Sequence, residues 1–133
     1  MPLKIELKPG ERLIIGNTLI TNDKDRVKFF IEGNVPILRE KYVLSQKEAN
    51  TPCKRLYYTL QEMYLAKDPK ALHATYFDQI AQITKAAPSL AMKIDVVNQN
   101  ILEGDYYNAL KNMMKVIEAE EKIMNFAAPA QEG

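Results

Sequence analysis

From Leu3 to Leu7 the apolar residues recur at every second position, short apolar runs set off by turn residues follow up to about residue 44, and beyond it apolar residues recur every three to four. The first spacing belongs to strands with one buried face and the second to amphipathic helices, and neither pattern serves the other structure. The chain therefore reads as α+β: a small N-terminal antiparallel sheet of four or five short strands, followed by an antiparallel bundle of about four helices. Leu3, Ile5 and Leu7 alternate with Lys4, Glu6 and Lys8 until Pro9-Gly10 ends the run. The segments "RLIIG" and "NTLI" flank Gly16-Asn17, "TNDKD" supplies turn residues, "RVKFFIE" forms a longer strand, and "VPILREKYVL" a last one after Gly33-Asn34. Pro36 belongs on an edge or at a bulge, because proline cannot donate to a ladder. Such a sheet buries little by itself, so support is expected from the helices or from a second copy of the chain.

The helical part repeats one start signal, a capping or turn residue followed by proline at the first helical position. Thr51-Pro52 opens a helix with Leu56, Leu60, Met63 and Tyr64 on one face, and Asp68-Pro69 a second with Leu72, Tyr76, Ile80 and Ile83. Pro88-Ser89 opens a third with Leu90, Ile94, Val97 and Ile101, closed by Gly104. Asp105 caps a fourth that carries Tyr106, Leu110, Met113, Met114, Ile117 and Met124. Ser45 and Glu48 have the spacing of a capping box and suit a preliminary turn. The expected organisation is a β module over 1–48, helices over 49–128 and a frayed tail over 129–133.

With 18 basic against 17 acidic residues there is no uniform field of the kind that marks wholesale nucleic-acid or membrane binding, so a charged partner must be met locally. The single cysteine, Cys53, suits a reducing compartment, and the cytoplasm is the expected location. No apolar run approaches a membrane span, and "MPLKIELKPGE" has no apolar signal core. His73, the one histidine, lacks the companions a zinc site needs. Cys53 falls in a first helical turn, where a dipole stabilises thiolate, but no partner base is in view and packing is the simpler reading. "NDKD" lacks the length and terminal glutamate of a calcium loop. No phosphate loop or nucleophile elbow is present, so neither an enzyme nor a cofactor is expected.

Two basic places remain. Lys54-Arg55 beside Tyr57-Tyr58 offers phosphate contacts and stacking faces for single-stranded RNA, although helical spacing equally turns Leu56, Tyr57 and Leu60 inward. In "ILREKYV", Arg39 and Lys41 flank a strand end, where charge also protects an edge from aggregation.

"PGERLIIGNTL", with Gly10, Glu11, Leu13, Ile15, Gly16 and Asn17, resembles the start of the CsrA family of small RNA-binding regulators, and Arg39-Glu40 resembles that family's RNA-contacting last strand. Leu7 stands where that pattern has an arginine, with Lys8 beside it, and Leu38 where a histidine is usual. The whole chain more closely resembles the FlbT family of flagellin regulators of alphaproteobacteria, through "LREK" and through the run around Thr51, Pro52, Arg55 and Tyr57. That resemblance implies a post-transcriptional regulator acting at the 5′ untranslated region of flagellin mRNA, alongside a FlaF-type regulator, with the sign of regulation differing between members. The CsrA likeness implies a possible homodimer through the β module.

The resulting expectation is an RNA-binding edge of Lys8, Arg39 and Lys41, extended by Lys54, Arg55 and Tyr57. Its rival is a protein-interaction face of Tyr106, Tyr107, Met113 and Met114 that takes a helix of flagellin or of another flagellar protein, since methionine-rich faces adapt to helices. Plain core packing explains that stripe too.

Overall fold

The computed structural model describes residues 2–132, with side chains described through Asn125. The chain divides into two compact units, Met1–Val43 and Leu44–Gly133.

The first unit holds β1 (Leu3–Leu7), β2 (Arg12–Ile15), β3 (Thr18–Thr21), β4 (Val27–Ile31) and β5 (Ile37–Arg39). They form two antiparallel sheets: β1 pairs with β4, and β2 lies between β3 and β5. The alternation in β1 is realised at Ile5 and Leu7, which lie inward beside Leu13 of β2 with Ile15, Phe29, Ile31 and Ile37 packed around them, whereas Leu3 at the strand start is exposed. Strands of both sheets thus share one apolar cluster, and neither sheet is buried without the other. A two-residue loop joins β2 to β3, with Ile15 opposite Thr18. Gly16 there has φ +59°, a conformation that L side chains adopt at a cost. Pro36 immediately precedes edge strand β5 and accepts the Gly16 N–H at 2.8 Å, so its missing donor is harmless. The last strand is shorter than "VPILREKYVL" suggests, because Glu40–Tyr42 form a 3-10 turn.

The second unit begins at Leu44, whose N–H and carbonyl are both engaged by the Gln61 side-chain amide at 2.8 and 2.9 Å. The break between units accordingly falls before Leu44 and not after residue 48. The Ser45 and Glu48 box closes reciprocally, at 2.9 and 3.2 Å, around a turn. Four helices follow: α1 (Pro52–Leu65), α2 (His73–Ala86), α3 (Ala91–Leu102) and α4 (Tyr106–Glu132). Thr51 caps α1 by accepting the Lys54 N–H at 3.1 Å. Pro69 and Pro88 start 3-10 turns, Pro69–Leu72 and Pro88–Leu90, which lead into α2 and α3 instead of forming their first α-helical turns. Gly104, at φ +74°, ends α3, and Asp105 Oδ1 accepts the Asn108 N–H at 3.1 Å to start α4. Residues 126–133, which include the expected frayed tail, have side chains outside the described residues.

The helical core contains Leu56, Tyr57, Leu60 and Met63 of α1, Tyr76 and Ile83 of α2, Ile94, Val97 and Ile101 of α3, and Leu110, Met113 and Val116 of α4. Met124, expected to continue this face, is exposed. Among the described residues one acid is buried with the core: Glu120 of α4 accepts the Thr51 hydroxyl at 2.6 Å and the Cys53 N–H at 3.0 Å. A carboxylate at a helix N-terminus satisfies donors that have no intrahelical partner and meets the positive end of the dipole. Glu120 thereby ties α4 to the start of α1.

Burial, with the Glu120 carboxylate next in weight, pushes the Cys53 thiol up from 9.0 to about 12, the opposite of an activated thiolate. The unfolded chain therefore loses this proton at a lower pH than the native state. The stability that the thiol contributes is complete below pH 9 and is lost as pH rises towards 12, at up to about 1.4 kcal/mol per pH unit. The urea midpoint of the protein is expected to fall from pH 9 upward, and that of Cys53→Ala to stay level until tyrosines ionise near pH 10. Parallel profiles for the two proteins would mean that Cys53 is not the group that titrates.

Candidate functional site

Cations near the β5 end of the first unit are of two kinds. Arg12 opens β2 and is closed against Glu40: Nη2 donates to Oε2 at 2.8 Å and Nε to Oε1 at 3.1 Å. Glu40 Oε1 also accepts the Arg12 backbone N–H at 2.8 Å, and Arg12 Nη2 donates to the Val43 carbonyl at 3.3 Å. With side chains only 22% and 31% exposed, this fork is partly withdrawn from water and is spent on structure. It pulls Glu40 back over β2, which explains why the chain leaves the sheet after Arg39.

Arg39 is the second kind. It pairs with Leu13 in the ladder, lies on the outer strand of its sheet and is exposed, and its guanidinium has no ion pair among the described residues. Lys41 follows in the 3-10 turn with its ammonium 5.5 Å from the Tyr42 ring centroid, a cation–π distance that leaves the charge at the surface. Lys8 is exposed in the turn after β1, where its carbonyl accepts the Glu11 N–H at 3.0 Å. The expected continuous edge of Lys8, Arg39 and Lys41 is therefore not one strand edge. Lys8 follows a strand of the two-stranded sheet, Arg39 ends the three-stranded one, and Lys41 is off the ladder.

In the helical unit Lys54 is half-buried and Arg55 exposed in the first turns of α1. Arg55 lines a cleft of about 280 Å³ with Pro52, Gln79, Gln82, Ile83 and Ala86. Tyr57, expected as a stacking face, is only 3% exposed, because its position in α1 turns inward with Leu56 and Leu60. Its ring belongs to the core and offers no surface to a base.

The rival face is likewise used internally. Met113 is fully buried and Met114 half-buried. Tyr106 has its hydroxyl 3.1 Å from His73 Nε2, and Tyr107 packs on Tyr64 with centroids 5.8 Å apart. These contacts tie α4 to α1 and to the start of α2. Tyr107, 40% exposed, keeps part of its ring in water, with Lys111 over it. Among the described residues no group of three His, Cys, Asp or Glu is placed to hold a metal, and no helix is long and apolar enough to cross a membrane.

What spacing alone missed is the Arg12–Glu40 fork and Glu120. Both are charges whose partners lie 28 or more residues away, and the only signal in the chain is a charged residue inside an apolar stretch. The two arginines predict opposite behaviour. Glu40→Ala removes the acceptor of the Arg12 backbone N–H and the carboxylate half of the fork, and is expected to lower unfolding stability by about 1–3 kcal/mol. Arg39→Ala is expected to stay within about 0.5 kcal/mol. Urea titrations of both variants check this, and equal losses would place Arg39 in the structural network.

The profile of the family described as "Flagellar protein FlbT" matches residues 3–124. A "Probable flagellum biosynthesis repressor protein FlbT 1" of Bradyrhizobium diazoefficiens is 49% identical over 124 residues, 92% of this chain and 85% of that protein. A "Probable flagellum biosynthesis repressor protein FlbT" of Rhodopseudomonas palustris is 42% identical, covering 94% of this chain and 99% of its own length. The "Flagellum biosynthesis repressor protein FlbT" of Caulobacter vibrioides is 26% identical over 92% of this chain and 89% of its own length. No solved structure matches.

Proposed function

The chain belongs to the FlbT family of flagellar proteins, and from that premise we propose that it is a non-enzymatic regulator of flagellar gene expression that binds the 5′ untranslated region of flagellin mRNA. The relatives' names as repressors of flagellum biosynthesis favour repression, through translation or stability of the message, as its output. The protein works in the cytoplasm, where the message is.

The observation that carries this reading is the sorting of the cations around β5. Arg12 is neutralised by Glu40, whereas Arg39, on the outer strand of the same sheet, stays exposed with no ion pair among the described residues. A guanidinium carried on a strand presents a planar, forked set of donors that matches phosphate or a base edge in a way a single ammonium does not. Lys41 and Lys8 add charge in the same unit. Contacts of this kind release counterions and weaken with salt, while unpaired bases carry the sequence preference. Burial of Met113 and internal use of Tyr106 leave the helical protein-binding face without a comparable observation in its favour.

The test is a titration of the full chain with the flagellin leader RNA and a scrambled RNA at two salt concentrations. Preferential, salt-weakened binding to the leader is expected, and Arg39→Ala should reduce it by about 1–2 kcal/mol, a factor of roughly 5–30, with an unchanged circular dichroism spectrum. Full affinity in the variant would remove Arg39 from the site, and equal binding of the two RNAs by the native protein would end the leader-specific reading.

A further inference from the structure

The helical unit carries a second set of free cations that spacing along the chain did not single out. Lys93 of α3 and Lys115 and Lys122 of α4 line one groove of about 520 Å³, together with Ser89, Leu90 and Glu118. Lys115 and Lys122 are seven positions apart, which on a helix is two turns along one face, about 10 Å of axis. Lys93, in the first turn of α3, comes to the same groove from the neighbouring helix. The core positions explain the convergence. Ile94 and Val116 are buried between the helices, so Lys93 and Lys115, each one residue earlier in its helix, stand at the rim.

Positive charge in this groove is only partly balanced. Glu118 is three residues after Lys115 and four before Lys122, spacings at which helical ion pairs ordinarily form. Yet none of the three lysines is in an ion pair among the described residues, and the groove keeps an excess of two positive charges over Glu118. The unit as a whole has no such excess, so the positive charge is a local accumulation. A lysine ammonium is a strongly hydrated point charge with three freely rotating donors, suited to phosphate oxygens and unsuited to distinguishing one base from another.

We propose that the groove formed by Lys93, Lys115 and Lys122 is a phosphate-backbone track for single-stranded RNA, which supplies sequence-independent affinity to the RNA-binding function proposed above and rests on that reading. The Arg39 edge and this track then differ in what they read. The track holds any RNA strand, and discrimination between RNAs lies elsewhere in the protein.

The test uses the full chain and the triple variant Lys93→Gln, Lys115→Gln, Lys122→Gln, titrated with flagellin leader RNA and scrambled RNA across a salt series. The three positions are exposed, and the variant's urea midpoint checks that its fold is kept. The variant is expected to bind both RNAs more weakly by the same factor. Its slope of log affinity against log salt should be shallower by about 2, roughly 0.7 for each lost phosphate contact. The leader-to-scrambled ratio should be unchanged. If the variant matches the native protein in affinity and slope, or loses affinity for the leader alone, the track is overturned. If the native protein binds both RNAs equally and the variant still loses slope, the leader-specific regulator fails and the track stands. If the native protein binds neither RNA, both fall. Should the triple variant unfold, the single charge reversals Lys93→Glu, Lys115→Glu and Lys122→Glu take its place, each expected to weaken both RNAs equally and each overturning the track if affinity is unaltered.

Discussion

The carboxylate of Glu120, buried between α4 and the first turn of α1, is the contact on which the arrangement of the helical unit depends. A charge withdrawn from water is tolerable only when donors surround it, and the start of a helix is a place where donors are left over. Thr51 meets both demands at once: its hydroxyl donates to Glu120 and accepts the Lys54 N–H. Once α4 is pinned there, Leu110, Met113 and Val116 are held against the core, Glu118 is left outside, and the face with Lys115 and Lys122 is turned to solvent. The burial that accompanies this contact also removes Cys53 from chemistry. A thiol pushed to about 12 stays protonated at neutral pH and is a poor nucleophile there.

The β unit obeys the same rule with the opposite sign. There the half-withdrawn charge is a cation, Arg12, and the chain bends after Arg39 so that Glu40 can reach it. That bend ends β5 after three residues. The cost of matching one charge is thus a shortened strand, and its consequence is that Arg39 stands at the last position of the ladder, beside a turn and without an ion pair among the described residues. Arg26, 3.1 Å from Glu6, is a looser surface pair and leaves this division intact.

Much of this was legible in the chain, and for identifiable reasons. The change of period near Leu44 separates strands from helices because side chains alternate across a strand and recur along one face of a helix. Thr51, Gly104 and Asp105 mark boundaries because capping is local chemistry. Other features depended on distant partners. Pattern alone cannot tell that the strands part into two sheets, since each strand looks the same whichever neighbour it pairs with. Tyr57 could face a base or the core, and only the position of α1 among the other helices decides for the core. Glu40 looked like part of a surface Arg-Glu pair until Arg12, 28 residues away, was seen to claim it. Lys93, Lys115 and Lys122 are unremarkable singly, and only the packing of α3 on α4 makes them one groove.

The free cations that remain after this accounting differ in kind. Arg39 carries a planar guanidinium whose forked donors can pair with a base edge or a phosphate in a defined geometry. The lysines present single ammonium charges over a groove with one acid, a geometry suited to a polyanion whose register is not fixed. The RNA-binding function proposed above needs both properties: a term that holds RNA long enough to be searched, and a term that separates one leader from another. The first scales with the number of phosphates neutralised and falls with salt, while the second survives salt only as far as it rests on base contacts. A fold that neutralises Arg12 inside and leaves Arg39 outside, and that spends Glu120 on α1 and leaves the lysine groove unpaired, keeps these two terms on separate elements. Charge can then be altered in one without unsettling the core that supports the other.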